Sequence, residues 1–237
     1  MSLNVKVSDH VARITLSNPD AGNRISQKTV GDIANALNQV AKNVDVKVVV
    51  IDAMGENFCV GREQGGPKSD TPLALRAAMM EPIIDVYRAF RNVEVPIICL
   101  VQGQANGFGA ALAASADMTI AASNAKFSFP ELKSNMPPTL AMATVMDRVP
   151  LKALTWMVFT SRPIEATRAQ QSGLVSEVVP TEQLASFGEE VVAGLLEKSR
   201  SALCGAKQYL ATSRMRNFED AADYGANLLA SVLLSQK

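Results

Sequence analysis

Residues 101–117 read VQGQANGFGAALAASAD, and this stretch decides the fold because it joins a glycine turn directly to a helix-forming run. Glycines occupy positions 103, 107 and 109, and small helix formers follow them. Unpaired backbone N–H groups and the positive end of the helix dipole meet at such a turn, so it usually holds an anion. The sequence therefore predicts an anion site where this helix begins.

Two common phosphate-binding motifs match this turn poorly. A P-loop carries Lys and Ser or Thr after its last glycine, whereas Ala110 and Ala111 stand there. A dinucleotide-binding fingerprint has the order G-x-G-x-x-G after the first strand, whereas the order here is G-x-x-x-G-x-G after a later strand. Close packing of the helix against a strand also requires small residues, so it stays an alternative explanation of the glycines.

Periodic segments before this stretch alternate between strand and helix patterns. Alternating apolar and polar residues on both sides of residues 8–10 predict a β-hairpin. Ser26 is a candidate helix cap, because apolar residues follow it at helical spacing. Members of this first stripe are Val30, Ile33, Leu37, Val40 and Val44. A second helical stripe comprises Leu73, Ala77, Met80, Ile84 and Tyr87.

Apolar runs between these helices predict the strands of the core. Residues 46–53 and 97–101 are largely apolar, as expected of strands that are buried on both faces. Shorter strands are expected at 118–122 and 125–129, and helical patterns dominate after Pro138. The sequence therefore predicts an α/β core followed by a mostly helical remainder.

Two further segments place functional groups at one edge of the predicted sheet. FCVGRE, residues 58–63, puts a glycine just past a buried strand, and AKFSFPEL, residues 125–132, puts Glu131 at a strand end. Ligands of α/β sheets bind at the carboxyl ends of strands. Two glycine turns can supply one backbone N–H each to a single oxygen, with a carboxylate alongside. This combination suits enolate chemistry, in which an oxyanion hole holds a thioester oxygen and a base acts on the neighbouring carbon.

Taken in order, five segments resemble the motifs of the crotonase superfamily, also called the enoyl-CoA hydratase/isomerase family. They are NPDAGNRIS (18–26), FCVGRE (58–63), VQGQANGFGAALAASAD (101–117), FSFPEL (127–132) and ATRAQQSGLVSEVVP (166–180). The resemblance covers nearly the whole chain and implies a spiral of repeated ββα units with a helical C-terminal trimerisation region. We expect the spiral core at residues 1–180 and the helical region at residues 181–237. Apolar helices after Pro180 predict subunit contacts in a homotrimer or a dimer of trimers.

The resemblance also implies roles for particular residues. The backbone N–H groups of Arg62 and Phe108 would form the oxyanion hole, and Glu131 would act as the acid and base. Coenzyme A, as part of the substrate, would contact the early loop and the first glycine turn, at Ala21, Gly22, Arg24, Val60 and Arg62. No metal ion and no redox cofactor is implied. The anion held by the turn at 103–109 would then be a transient thioester enolate.

Ala111 is where the sequence departs from the hydratases of the family. Those enzymes handle a water molecule with two glutamates, of which Glu131 matches one and Ala111 replaces the other. One carboxylate resembles the family's double-bond isomerases and some of its decarboxylases, so we predict isomerisation over hydration. One alternative is a hydratase with a substitute second acid, or with a water oriented by Asn106, Ser134 or Asn135. Another is a non-catalytic relative that binds acyl-CoA or another protein.

Arg62 is a second departure, because a small residue is usual at that position of the family. Its side chain either faces solvent or pairs with an anion. That anion would be a phosphate of coenzyme A or a carboxylate of the substrate, since a guanidinium binds both with paired hydrogen bonds. The sequence leaves these alternatives open.

Composition argues against several classes of protein. The 237 residues include 23 basic and 23 acidic side chains, and this balance disfavours nucleic-acid binding. The single histidine, His10, lies in the predicted hairpin turn, which opposes serine–histidine catalysis and histidine-rich metal sites. The three cysteines lack metal-ligand or redox spacing. No leader or membrane-spanning run is apparent, so we expect a cytoplasmic protein outside the membrane.

Overall fold

The structure of the chain, a computed structural model, describes residues 2–63, 65–66 and 69–235. Within these residues the strands are β1 (Leu3–Ser8), β2 (Val11–Leu16), β3 (Val48–Ala53), β4 (Ile97–Val101), β5 (Gln104–Asn106), β6 (Met118–Ala122), β7 (Lys126–Ser128), β8 (Ile164–Glu165) and β9 (Glu177–Val179). The α-helices are α1 (Gln27–Ala41), α2 (Pro72–Leu75), α3 (Glu81–Asn92), α4 (Phe108–Ser115), α5 (Thr139–Val145), α6 (Leu151–Thr160), α7 (Ala166–Gln171), α8 (Leu184–Leu196), α9 (Arg200–Ser213) and α10 (Phe218–Ser235). A π-helical turn, Arg76–Met80, connects α2 to α3, and 3-10 turns lie at Pro19–Ala21, Glu131–Ser134 and Thr181–Gln183.

β1 and β2 form the predicted hairpin and pair antiparallel along their whole length. Asp9 and His10 make its two-residue turn, and both have positive φ, at 50° and 66°. Such a turn matches the right-handed twist of antiparallel strands. His10 is exposed, and its Nδ1 lies 2.8 Å from the carbonyl oxygen of Asp45. The histidine therefore lies in the hairpin turn, as expected.

The larger sheet has the order β1-β2-β3-β4-β6-β9, and every pair after the hairpin is parallel. All of β4 is buried, as is β3 from Val48 to Ile51. The two predicted apolar runs are thus confirmed as strands that are covered on both faces. Because these strands run parallel, the loops that follow β3 and β4 leave the sheet at the same edge.

A smaller sheet of order β5-β7-β8 determines where the candidate site lies. β5 and β7 run parallel with Asn106 opposite Ser128, so both strands end at the same level. Gly107 follows β5 directly, and Glu131 follows β7 after two intervening residues. This register therefore brings the second glycine turn and the predicted base side by side, although they are distant in sequence.

Helix α1 begins at the predicted cap. The Ser26 side chain accepts a hydrogen bond from a first-turn N–H at 3.1 Å. The apolar stripe is buried as far as Val40, but Val44 lies beyond the helix and is 73% exposed. The side chain of Asn43 accepts a hydrogen bond from the Asp45 N–H at 3.0 Å, which turns the chain away from the helix. The place of Val44 in the predicted stripe was therefore wrong.

The second predicted helix runs through α2, the π-helical turn and α3, but its buried face differs from the prediction. Leu73 is 78% exposed and Tyr87 is only half-buried. Buried instead are Ile83, Val86, Ala89 and Phe90. A π-helical turn holds more residues than an α-helical turn, so it rotates the following side chains around the helix axis. Tyr87 consequently lies at the margin of the core.

The helices after β9 divide into two groups. α8 packs on the larger sheet, where Leu184 and Val192 join a core cluster with side chains of β3, β4 and β6. α9 and α10 pack against each other, and α10 has no buried residue. Large apolar side chains that α10 exposes are Phe218, Leu229, Leu233 and Leu234. No described helix, α10 included, combines the length and apolar character needed to cross a membrane. Trimerisation through this region stays a prediction.

Candidate active site

The first glycine turn presents one backbone N–H that no described acceptor occupies. Arg62 pairs with Ile25 as an isolated parallel bridge. The Ile25 N–H donates to the carbonyl of Gly61 and the Glu63 N–H donates to the carbonyl of Ile25, both at 2.9 Å. In a parallel bridge of this kind, the N–H of the central residue points away from the partner strand. The Arg62 N–H therefore faces the other side of the turn, where no described residue accepts it.

The second glycine turn presents another such N–H at the beginning of α4. Gly107 has a φ of +52°, and its N–H donates to the Ser128 carbonyl at 2.8 Å. Phe108 is the first residue of α4, and the first N–H groups of a helix have no partner within it. In the part of the chain that the structure describes, no acceptor contacts the Phe108 N–H.

Cys59 holds the two turns together. Its N–H donates to the Gln104 carbonyl and its carbonyl accepts from the Asn106 N–H, both at 2.9 Å, as a bridge to Ala105 requires. Gly109 contacts the same peptide, because a Cβ placed on Gly109 would lie 2.5 Å from the Cys59 carbonyl oxygen. A larger residue at 109 would push α4 away from the first turn. Close packing, the alternative explanation of the glycines, therefore accounts for Gly109.

Glu131 lies against the second turn. It begins the 3-10 turn, and a Cβ placed on Gly107 would lie 2.5 Å from the Glu131 Oε1. The Glu131 Oε2 is buried and has no hydrogen-bond partner among the described residues. Burial raises the pKa of this carboxyl above its ordinary value, because the ionised form loses hydration. The side chain thus holds a carboxylate oxygen, unpaired among the described residues, beside the turn that carries the Phe108 N–H.

The Arg62 side chain is half-buried and lacks an ionic partner in the described residues. Its Nη2 donates to the Gln27 Oε1 at 2.6 Å, while its Nε is buried without a described partner. Burial lowers the pKa of the guanidinium, and the nearby Tyr87 raises it to a lesser extent. Of the alternatives for this side chain, simple exposure to solvent is therefore wrong.

Tyr87 joins the site, although the sequence pattern indicates only a helical stripe there. Its ring centre lies 6.2 Å from that of Phe108, with 31° between the ring planes. Burial raises the pKa of the Tyr87 phenol, the charge of Glu131 raises it further, and the charge of Arg62 lowers it. The phenol is therefore neutral near pH 7. Tyr87 is the one residue of the second helical stripe that has a polar group, and this feature of the sequence could have identified it as a site residue.

The residues expected to contact coenzyme A lie together next to the first turn. A Cβ placed on Gly22 would lie 2.8 Å from the Val60 Cγ1, and the Val60 N–H donates to the Gly22 carbonyl at 3.0 Å. Ala21 and Arg24 are exposed, and the Arg24 Nη1 donates to the Arg62 carbonyl at 3.4 Å. The structure thus brings these residues together, whereas their binding of coenzyme A stays a prediction.

Asn23 fixes this loop; it lies within the NPDAGNRIS segment, but the sequence assigned it no role. Its side-chain oxygen accepts the Asn18 N–H at 2.8 Å. Its side-chain nitrogen donates to the carbonyls of Met54 and Asn57, at 2.8 and 2.7 Å. Because Asn23 is 1% exposed, this amide ties the early loop to the segment after β3 from inside the protein.

Ala111 and the polar residues near it provide little for activating water. Ala111 is fully buried in α4 and has no group that can transfer a proton. Asn106 is engaged, since its Oδ1 accepts from the Ser128 hydroxyl at 2.7 Å and its Nδ2 donates within β5 at 2.9 Å. Ser134 and Asn135 are exposed. Of the three residues considered for orienting water, Asn106 therefore has its side chain committed elsewhere.

Metal ligands and reactive thiols add no further centre in the described part of the chain. No group of three or more His, Cys, Asp or Glu side chains there is arranged to hold a metal ion. Cys59 and Cys99 are buried, and burial raises the pKa of the Cys59 thiol to about 11. This thiol is therefore protonated, and unreactive as a nucleophile, near pH 7.

Known proteins resemble this chain in sequence. A family model described as enoyl-CoA hydratase/isomerase matches residues 6–236. The chain is 31% identical to (E)-benzylidenesuccinyl-CoA hydratase of Thauera aromatica, over 81% of this chain and 76% of that protein. It is 29% identical to the mitochondrial enoyl-CoA hydratase domain-containing protein 3 of Rattus norvegicus, over 84% of this chain. The match spans 66% of the length of that rat protein.

Solved structures share the architecture. The crystal structure of an enoyl-CoA hydratase subunit I from Geobacillus kaustophilus has a TM-score of 0.90 and 25% identity, and the match covers 100% of this chain and 91% of the other. Together with the family match, this similarity confirms the expected crotonase-like α/β fold with a helical C-terminal region.

Proposed function

This chain belongs to the enoyl-CoA hydratase/isomerase family, and from that premise we propose that it acts on an acyl-CoA thioester. The thioester oxygen accepts hydrogen bonds from the backbone N–H groups of Arg62 and Phe108, which serve as an oxyanion hole. Removal of a proton from the carbon next to the thioester yields an enolate, whose negative charge rests on that oxygen. Each such donor typically lowers the activation free energy by about 3 kcal/mol.

The observation that carries the proposal is the contact of Glu131 with the turn that precedes Phe108. The Glu131 Oε1 lies against Gly107, and its buried Oε2 has no described hydrogen-bond partner that would compete with a substrate proton. A carboxylate beside an oxyanion donor suits proton removal next to the polarised carbonyl. The raised pKa of Glu131 also suits a group that takes a proton and returns it near neutral pH.

Ala111 favours double-bond isomerisation over hydration. In isomerisation of a 3-enoyl thioester, Glu131 takes a proton from C2 and returns it to C4, while the double bond moves into conjugation with the thioester. One carboxylate is enough for both transfers. Hydration needs a second group for the water, and Ala111 supplies none. The engaged amide of Asn106 also disfavours this residue as the one that orients a water.

Two alternatives keep the same site but change the outcome. Decarboxylation of an acyl-CoA that carries a carboxylate on C2 breaks the bond to that carboxylate, releases CO2 and leaves an enolate, which one acid then protonates on carbon. The second alternative is a non-catalytic protein that binds acyl-CoA or another protein. The missing acid at Ala111 supports this alternative, whereas the retained Glu131 and the two N–H groups without a described acceptor argue against it. Coenzyme A contacts at Ala21, Gly22, Arg24, Val60 and Arg62 are common to every alternative in which the chain binds an acyl-CoA, and they need no metal ion or redox cofactor.

We also propose that the chain assembles in multiples of three through its C-terminal helices. The apolar side chains exposed on α10 support this proposal, since a subunit partner would remove them from water. Sedimentation or light scattering that gave the mass of a monomer would contradict it.

The decisive experiment compares two reactions of the purified protein. We expect the rate of isomerisation of 3-hexenoyl-CoA to exceed the rate of hydration of crotonyl-CoA by at least about tenfold, because hydration needs a second acid–base group that Ala111 does not supply. Glu131→Gln keeps the shape of the side chain and removes the base, so isomerisation should fall by about a hundredfold or more. Acyl-CoA affinity, measured by calorimetry, should change little. Full activity of Glu131→Gln would refute the assignment of the base, and wild-type binding without turnover would indicate the non-catalytic alternative.

A further inference from the structure

Arg62 carries a positive charge that nothing in the described residues neutralises. Those residues form ion pairs elsewhere, and Arg62 takes part in none of them. Its side chain donates to the neutral amide oxygen of Gln27, and its Nε is buried without a described partner. A half-buried guanidinium in this state has lost hydration without gaining an anion, which costs free energy.

Glu131 is the acid of the same site, yet it does not pair with Arg62. Its Oε2 is likewise buried without a described partner. Tyr87 lies close enough to both side chains for each charge to act on its phenol. The site therefore keeps one open cation and one open anion that do not neutralise each other. An anionic group of a ligand can bind the cation while Glu131 stays available for proton transfer.

A phosphate of coenzyme A is the first anion to consider, and Arg24 is better placed for it. Arg24 is exposed on the early loop, behind the carbonyl of Arg62. The Arg62 guanidinium instead lies at Gln27 on α1 and near Tyr87 on α3. The Tyr87 ring packs beside that of Phe108, whose N–H is the second proposed oxyanion donor. The guanidinium therefore lies on the Phe108 side of the site, where the proposed function would place the acyl group.

On this basis, and resting on the proposed function, we propose that Arg62 selects acyl-CoA thioesters whose acyl group carries a second carboxylate. The Nε–H and the N–H groups that Gln27 leaves open bind the two carboxylate oxygens as a planar fork. Arg62 then serves twice, through its backbone N–H for the thioester oxygen and through its side chain for the distal carboxylate. The bound carboxylate supplies the missing counter-charge.

A pair of matched thioesters tests this selection in the wild-type protein. Glutaconyl-CoA and trans-2-pentenoyl-CoA have acyl groups of equal carbon number, and a terminal carboxylate in one replaces the methyl group of the other. Calorimetric dissociation constants should favour glutaconyl-CoA by roughly ten- to a hundredfold, as expected for hydrogen bonds to a charged group. Equal affinities would overturn this inference and leave the proposed function intact. Failure of both thioesters to bind would instead overturn the proposed function, and this inference with it.

Variants assign the preference to the side chain. Arg62→Met keeps the backbone N–H and removes the guanidinium, so the preference for glutaconyl-CoA should disappear. Arg62→Lys keeps the charge without the fork and should retain only part of it. Arg91→Met, which removes an exposed arginine at the end of α3, is the matched control and should keep the wild-type ratio. A preference that survives in Arg62→Met would refute the inference. So would an equal loss of affinity for free coenzyme A, which would assign the guanidinium to a phosphate.

Discussion

The carboxylate of Glu131 lies directly against the backbone of Gly107, where a Cβ would be 2.5 Å from Oε1 and 3.3 Å from Cδ. The backbone conformation also requires glycine at this position, because a φ of +52° with a ψ of −109° is strained for any residue with a side chain. The position of the proposed base therefore depends on the absence of a side chain at residue 107.

Gly107→Ala tests this dependence. The added methyl group must displace Glu131 or the turn, so we expect turnover to fall by about a hundredfold. Backbone strain should also lower the free energy of unfolding by about 1–3 kcal/mol. Gly31→Ala is the control, because Gly31 lies within α1 and a Cβ there meets nothing within 4 Å. That change should stabilise the protein by about 0.5–1 kcal/mol without altering turnover. Equal activity of the two variants would contradict the argument.

Glu131→Gln should stabilise the protein in a pH-dependent way. The pKa of Glu131 is raised by burial, so its favourable contribution is present below the ordinary glutamate value and is lost as the pH rises through the folded-state value. At pH 8 the variant should therefore be more stable than the wild type. We expect the free energy of unfolding to rise by about 1 kcal/mol. This value is at the lower end of the cost of an unpaired buried group, because the carboxyl is partly exposed.

Urea unfolding at several pH values provides the measurement. The stability difference between Glu131→Gln and the wild type should shrink toward about pH 4, where the wild-type carboxyl is mostly protonated in both states. A difference that stays constant from pH 8 to pH 4, or that grows on acidification, would show that burial of the charge is not its origin.

Ala111→Glu should increase hydration more than isomerisation. The new carboxylate would stand one helical turn after Gly107 and can manage the second proton of the water. Since Ala111 is fully buried, the larger charged side chain should cost about 1–3 kcal/mol of stability. Ala111→Gln has nearly the same shape but transfers no proton, so it should not hydrate crotonyl-CoA faster than the wild type. Rapid hydration by the wild type, or an equal gain with glutamine, would oppose this interpretation.

Tyr87→Phe isolates the contribution of the phenol. The ring and its packing beside Phe108 are kept, whereas the hydroxyl near Glu131 and Arg62 is removed. We expect turnover to fall by about three- to tenfold, the loss typical of one neutral hydrogen-bonding group. Tyr224→Phe, on α10, is the control and should leave the rate unchanged. An unchanged rate and an unchanged pH profile in Tyr87→Phe would reduce Tyr87 to a packing residue.

The strands of the larger sheet and the glycine turns could mostly be predicted because their signals are local, whereas β5 and β8 of the smaller sheet were missed. β4 is apolar at every position, and the helix after Gly107 begins where small residues replace the turn. These patterns report backbone conformation and burial, which neighbouring residues largely determine. The strand-end positions also predicted that Glu131 and Phe108 lie together, and the structure agrees, although they follow strands of the smaller sheet.

The contacts inside the site depended on distant elements and could not be predicted. The clearance between Gly107 and Glu131 follows from the register of Asn106 with Ser128 across two strands. The approach of Tyr87 follows from the π-helical turn before α3, which rotates the helix relative to its apolar pattern. Among the described residues, Arg62 lacks an ionic partner because of the side chains that the tertiary fold places next to it, and these come from other elements.

The bridge of Cys59 to Ala105 also constrains how the site can form during refolding. Arg62 and Phe108 are 46 positions apart in the sequence, and that bridge holds their turns in contact. Closing such a loop costs conformational entropy before any contact offsets it. Helix formation alone would therefore leave the two turns apart and the site unassembled. During refolding, activity should recover with the slow, long-range pairing step rather than with the rise in helix content.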